Sequence, residues 1–267
     1  MQASLSELDR TSSLHHIAHV EASRPFNWLR WGWRNLRAHP GPSLAHGAIL
    51  AVLGCLVLLL TSTHVELFAA AISGFLIVGP IFAAAFYELS RLRDAGLPVS
   101  FDASLEGALR NARLLIPLGL VLAALTIGWV WLSGVLFERA FGAELPSISD
   151  SAYQIISNGK YGGFFLTYMT TGAVLAVVAF TLSALAAPMI FDGADTKTAI
   201  ATSIRAVIAN PVAMAVWAII IAVLTALGFA TFMIGLVVVL PLLGHATWHA
   251  YRDLIHGGVG PWQDKDI

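Results

Sequence analysis

The chain of 267 residues is 57% hydrophobic and only 12% charged, with 15 Lys plus Arg against 16 Asp plus Glu. Soluble domains carry about 25% charged residues, so this composition, with its mean hydropathy of +0.76, excludes an ordinary water-soluble globule. The near-balance of charge also excludes the extended basic face that nucleic acid requires. A membrane protein is what remains.

Residues 1–25 read as a polar, flexible cytoplasmic tail. Glu7 and Asp9 lie in its first 13 residues and no basic stretch leads directly into an apolar run, so no cleavable signal is expected. His15, His16 and His19 belong to this tail and point to no chemistry. The segment 26–37 predicts an amphipathic helix, with Phe26, Leu29, Trp33 and Leu36 on one stripe and Arg30, Arg34 and Arg37 on another. Such a helix lies in the headgroup layer: Trp28, Trp31 and Trp33 supply an aromatic belt, and the three arginines hold anionic lipid headgroups. A partner-docking surface is the rival reading.

About 20 predominantly apolar residues cross a bilayer. Runs free of Asp, Glu, Lys and Arg predict six spans, near 43–63, 67–87, 114–137, 163–190, 211–232 and 235–251. The fourth run begins at 161 and is longer than one crossing needs, so it tilts or starts with an interfacial piece at Gly162 and Gly163. The break between the last two rests on length alone, because one helix over 211–251 would be about 60 Å long. The expected fold is all-α and polytopic, with a membrane domain over 26–254 and a second cytoplasmic tail over 255–267.

Of the 15 Lys and Arg, the six-span reading places 13 on one side and only Arg139 and Lys160 on the other. The positive-inside rule then puts both termini in the cytoplasm of a bacterial inner membrane. Spans one, three and five each follow an arginine-bearing segment that ends in proline, at Pro40, Pro117 and Pro211, and spans two, four and six contain Pro80, Pro188 and Pro241. This predicts three related hairpin units, each preceded by an interfacial helix. The segment before span five, 196–208, repeats the first design with Ile200, Ile204 and Val207 on one side. The external loop, 138–160, carries Ile148, Ala152, Ile155 and Ile156 at helical spacing and is expected to rest on the outer face.

Chemistry-bearing residues are few. No Asp, Glu, Lys or Arg falls in the middle of a span, which argues against an ion-coupled transporter. Glu88 stands at the cytoplasmic end of span two, within reach of Arg91 or Arg93, and Glu66 stands at an external turn. His245 and His249 are four apart on the sixth span and share a helical face, and His46 lies at the matching depth of the first. Together they are the candidate metal or haem ligands. The single cysteine, Cys55, builds neither a disulfide nor a cysteine metal site. No phosphate loop, GxSxG or HExxH is present, so no catalytic residue is assigned. Thr167, Thr170, Thr171, Gly172, Thr181 and Ser183 of the fourth span suit close packing and hydrogen bonds between helices.

Two stretches carry a resemblance. With Gly79, Pro80, Phe86, Tyr87, Glu88 and Arg91 in one, and Pro241, Gly244, His245, Trp248, His249, Tyr251 and Arg252 in the other, the chain resembles a bacterial family of uncharacterised six-span inner-membrane proteins. Some members are labelled cytochrome c oxidase subunit I. A haem–copper catalytic subunit needs more spans, mid-membrane haem histidines, a His-x-x-x-Tyr motif and adjacent copper-binding histidines. The adjacent pair in this chain, His15 and His16, precedes the membrane region. The resemblance therefore implies an accessory place beside a respiratory complex rather than oxygen reduction. The expected function is a non-enzymatic accessory, scaffold or assembly factor with no cofactor, whose partners are the bilayer and other membrane proteins, a respiratory oxidase among them, or further copies of itself. The alternatives are a small-solute or lipid-handling transporter with a cavity between hairpins, and a haem or metal protein using His46, His245 and His249.

Overall fold

A computed structural model describes residues 17–142 and 162–257. Among them the chain is all-helical, with α1 over Arg24–Ala38, α2 over Pro40–Thr61, α3 over Val65–Phe82, α4 over Ala84–Asp94 and α5 over Phe101–Phe141. Then follow α6 over Gly162–Ser183, α7 over Ala186–Phe191, α8 over Thr196–Ala209, α9 over Pro211–Ala230 and α10 over Leu236–His256. Four helical stretches are long and apolar enough to cross a membrane: α2, α5, α6 with α7, and α9. The predicted loop helix around Ile148 and Ile155 lies outside the described residues, as do most of the two tails.

Two of the three predicted helix-to-span junctions share one geometry. His39 (φ −134°, ψ 64°) separates α1 from α2 and Asn210 (φ −130°, ψ 55°) separates α8 from α9, each followed by proline at the first helical position. A residue before proline is pushed out of the α region, and proline at N1 gives up an N–H that has no helical partner anyway. The third junction differs. Ile116 stays helical before Pro117, and α5 runs unbroken for 41 residues, about 62 Å, so no separate interfacial helix precedes this span. Ser100 starts it by accepting the Ala103 N–H at 3.2 Å.

The helix α10 is the axis, packed against α1, α2 and α4, while α5 lies along α3, α4 and α6. Glycines let these helices meet at backbone distance: a Cβ at Gly32 of α1 would stand 2.7 Å from the Ala246 nitrogen, one at Gly47 of α2 would strike the Val237 carbonyl, and one at Gly244 would meet the Phe86 Cβ at 2.6 Å. The first and last described segments meet at one end of the bundle, where the Ala18 N–H donates to the Leu254 carbonyl at 2.8 Å. At the opposite end a tight turn joins α9 to α10, with Phe232 (φ 51°) and Met233 (φ 70°) in the left-handed region that bulky residues seldom occupy. The predicted break between the last two apolar runs is this turn.

The break between α6 and α7 is held from outside. Ser203 of α8 accepts the Leu185 N–H at 3.2 Å and donates to the Thr181 carbonyl at 2.9 Å, satisfying one donor and one acceptor that the interruption frees. The hydroxyls of Thr167, Thr181 and Ser183, expected to bridge helices, instead bond carbonyls four residues back on their own helix. Inside a membrane that local acceptor is always within reach, whereas a partner on another helix is not.

Candidate functional site

The buried polar groups gather at the end where the first and last described segments meet, around the second half of α10. Asp253, 4% exposed, accepts two bonds from the Arg24 guanidinium (2.7 and 2.8 Å) and one from the Trp28 indole N–H at 2.8 Å. The hydrogen bond to Asp253 raises the pKa of Arg24 above its already high value, so the guanidinium stays charged. Arg24 also lies over the Trp31 ring, 5.1 Å from its centre. Trp248 donates its indole N–H to Asp94 at 2.8 Å, and the Tyr251 hydroxyl donates to Asp192 at 2.7 Å. One helix thus reaches α1, α4 and the α7–α8 connection through three carboxylates.

Trp28 was expected at the lipid interface, yet it is fully buried, edge-on to Trp217 at 5.9 Å. The buried face of α1 is Pro25, Trp28, Gly32, Asn35 and Leu36, while Phe26 and Trp33 are exposed. Small and polar residues face inward because α1 packs against another helix at close range rather than on lipid tails. Arg30 and Arg37 are exposed, and Trp31 is half-buried. In α8, too, small and polar residues face inward: Ala199, Thr202, Ser203 and Ala206 are buried, and Ile200, Ile204 and Val207 are only partly so.

A second network links five side chains. Arg93 donates to the Asn35 carbonyl oxygen, which turns the Asn35 amide nitrogen toward Ser90 Oγ at 3.2 Å. Ser90 Oγ also stands 2.8 Å from His245 Nδ1. On the other side of the ring, His245 Nε2 stands 3.0 Å from Ser43 Oγ. Each bond polarises the next, starting from a guanidinium. The chain ties α1, α2, α4 and α10 together.

His46 is bonded elsewhere: its Nε2 meets Ser104 Oγ of α5 at 2.8 Å, and its ring stacks on Phe101 at 4.4 Å. Phe86 stands between the two imidazoles, 6.2 Å from His46 and 6.0 Å from His245. His249 packs edge-on against Trp31 at 5.9 Å, and its Nε2 has no partner. The three predicted ligands therefore do not converge, since serines take up both nitrogens of His245 and one of His46, and no group of three or more metal-ligating side chains occurs among the described residues. Glu88, 1% exposed, is held by Arg91 through two bonds of 2.6 Å, the first of the two partners its position offered. Gly107 of α5 makes room for it, since a Cβ there would strike the Glu88 side chain.

Beyond the polar network lie two adjoining cavities, of about 110 and about 250 Å³, sharing the walls Leu50, Phe75 and Phe82. The smaller reaches Tyr87, Trp217 and Thr247, and the larger extends to Val57, Thr126 and Met233. Neither lining contains Asp, Glu, Lys, Arg or His. Sequence reasoning missed both cavities, because nothing in an apolar run marks which side chains stop short of their neighbours.

All-helical architecture and four helical stretches long and apolar enough to cross a bilayer define a polytopic integral membrane protein. Residues 67–192 match the model of a family described as a predicted integral membrane protein, DUF2189, in agreement with the resemblance drawn from the sequence. The matched part holds Glu88, Ser90, Arg93 and Ser104, and α10 lies outside it. No curated protein and no solved structure matches the chain.

Proposed function

We propose that the chain is a non-enzymatic, six-span inner-membrane protein with both termini in the cytoplasm, acting as an accessory, scaffold or assembly factor for other membrane proteins. The observation that carries this reading is how the buried charges are spent. Glu88 is committed to Arg91 on its own helix, and Asp253 to Arg24 and Trp28, a contact that ties α1 to α10. Meanwhile α2 buries only 17% and α9 only 28% of their most apolar stretches, leaving broad helical faces for lipid and for other membrane helices. The helices α3 and α10, of 18 and 21 residues, complete the six crossings beside the four most apolar stretches. The matching junctions at His39 and Asn210 support related units for the first and third hairpins.

A tagged protein purified from native membranes in mild detergent tests the role. Stoichiometric recovery of the subunits of one membrane complex, with a respiratory oxidase as the first to look for, is the expected outcome; recovery of the chain alone overturns it. Orientation is tested separately. A reporter active only in the periplasm should give signal when fused at Ser151 and none when fused after Asp264, and the reverse would overturn the orientation.

A further inference from the structure

We propose that the two adjoining cavities form a binding site for one long acyl chain, with the Tyr87 hydroxyl donating a hydrogen bond to its carboxyl or ester carbonyl oxygen. This goes beyond the accessory role and does not depend on it. The shared walls Leu50, Phe75 and Phe82 make one elongated space of the two. From Ala70 to Tyr87 its lining follows α3 into α4 over about 25 Å at 1.5 Å per residue. That shape fits a chain, not a compact solute. The outer part is aliphatic, lined by Leu53, Val57, Leu58, Val130 and Met233, and cavities of such composition stay dry and take apolar guests. Leu53, Val57 and Phe82 are each about half exposed on the flank of the bundle, so the space opens sideways toward bilayer lipid.

The inner end carries the polar feature. Of the hydroxyls in its wall, Ser183 and Thr247 are spent on the carbonyls of Ala179 and Leu243. Tyr87 and Thr225, 1% and 3% exposed, also line this end. These two hydroxyls in an otherwise apolar wall offer donors to an acceptor that arrives with the occupant. Tyr87 is the better placed to orient it, because its ring is pinned between Trp248, stacked at 6.4 Å, and Phe191 at 6.2 Å. An acyl chain has one apolar tail and one oxygen-bearing end, and both requirements are met.

Native mass spectrometry of the full chain in detergent, titrated with oleate or with a phosphatidylethanolamine of defined chains, reads the adduct directly. The expected result is one saturable adduct. Tyr87→Phe, which removes a single oxygen, should weaken it by roughly tenfold, as the loss of one buried hydrogen bond does. Ala71→Leu, which fills the larger cavity, should abolish the adduct while circular dichroism shows the helices intact. Displacement of the lipid by oleate identifies a free fatty acid as the occupant, and persistence of the phospholipid mass identifies a membrane lipid; both support the site. Adducts that accumulate without saturation, or equally on the wild type and both variants, overturn it.

Discussion

Replacing Gly32 by alanine tests whether the contact between α1 and α10 organises the end of the bundle where the first and last described segments meet. The new methyl would stand 2.7 Å from the Ala246 nitrogen and 2.8 Å from the Leu242 carbonyl oxygen, whereas ordinary contact begins at 3.4 Å. Both obstacles are backbone, so no side chain can swing aside and α1 itself must retreat by roughly half an ångström or more. Overpacking of this kind costs about 1–3 kcal/mol. Retreat also stretches the bonds from Arg24, Trp28 and Asn35, each worth about 1 kcal/mol. Against this stands a gain of about 1 kcal/mol from replacing glycine inside a helix. The net loss is about 1–3 kcal/mol, a fall of roughly 3–10 °C in the melting temperature of the detergent-solubilised protein. Gly41→Ala, with nothing within 4 Å of the added methyl, is the control and should melt no lower than wild type. A Gly32→Ala protein that melts with the wild type would refute the argument.

Asp253→Asn leaves the Arg24 guanidinium without its carboxylate and should cost about 2 kcal/mol, less than a fully buried pair because Arg24 is 32% exposed. Adding Arg24→Gln should recover part of that loss, and strictly additive melting shifts would show that the two do not act together. Ser203→Ala frees the Leu185 N–H and the Thr181 carbonyl at the α6–α7 break and should cost about 2 kcal/mol, read as lost helicity on mild heating. Burial, and then the neighbouring Arg93, pushes the His39 imidazole below its usual value of 6.5, so the unfolded chain takes up its proton first as pH falls. Stability present above pH 6.5 is therefore lost below it, and His39→Gln should flatten the melting temperature between about pH 7 and pH 5. An unchanged slope would remove His39 from the account.

The sequence marks the apolar crossings because a run without charges carries its own signal, whatever lies beside it. Which face of a helix meets protein is a different question in a membrane, where lipid is as apolar as leucine. Phe26 and Trp33 mark the exposed side of α1, and the face that meets protein holds Gly32 and Asn35. Trp28 looks like any interfacial tryptophan until Asp253, distant in sequence, is seen to accept its N–H. His245 and His249 suggest a metal pair by spacing alone, yet Ser43 and Ser90, the residues that bond His245, lie on two other helices and are unremarkable in sequence. Proline marked junctions correctly at Pro40 and Pro211 and not at Pro117, because a missing N–H can be absorbed inside a long helix packed against its neighbours.

The two ends of the bundle are built on different principles, and this predicts where it opens. At the end where the first and last described segments meet, α1, α4 and α10 share ion pairs and hydrogen bonds among Arg24, Asp253, Ser90 and His245. At the other end Ser133 bonds Tyr168 at 3.0 Å, while the α9–α10 turn holds Phe232 and Met233 at positive φ over the larger cavity. Left-handed backbone at bulky residues costs of order 1–3 kcal/mol each, and a void withholds packing on one side. Local opening should therefore cost least at 229–238 and in the last two turns of α2, and most in α1 and the second half of α10. Hydrogen exchange followed by mass spectrometry in lipid nanodiscs measures this order, because opening free energy sets protection. Occupation of the cavity by an acyl chain should slow exchange at 229–238 and leave α1 unchanged. Protection that is uniform along α10, or highest at the turn, would mean that the polar network does not determine which end is rigid.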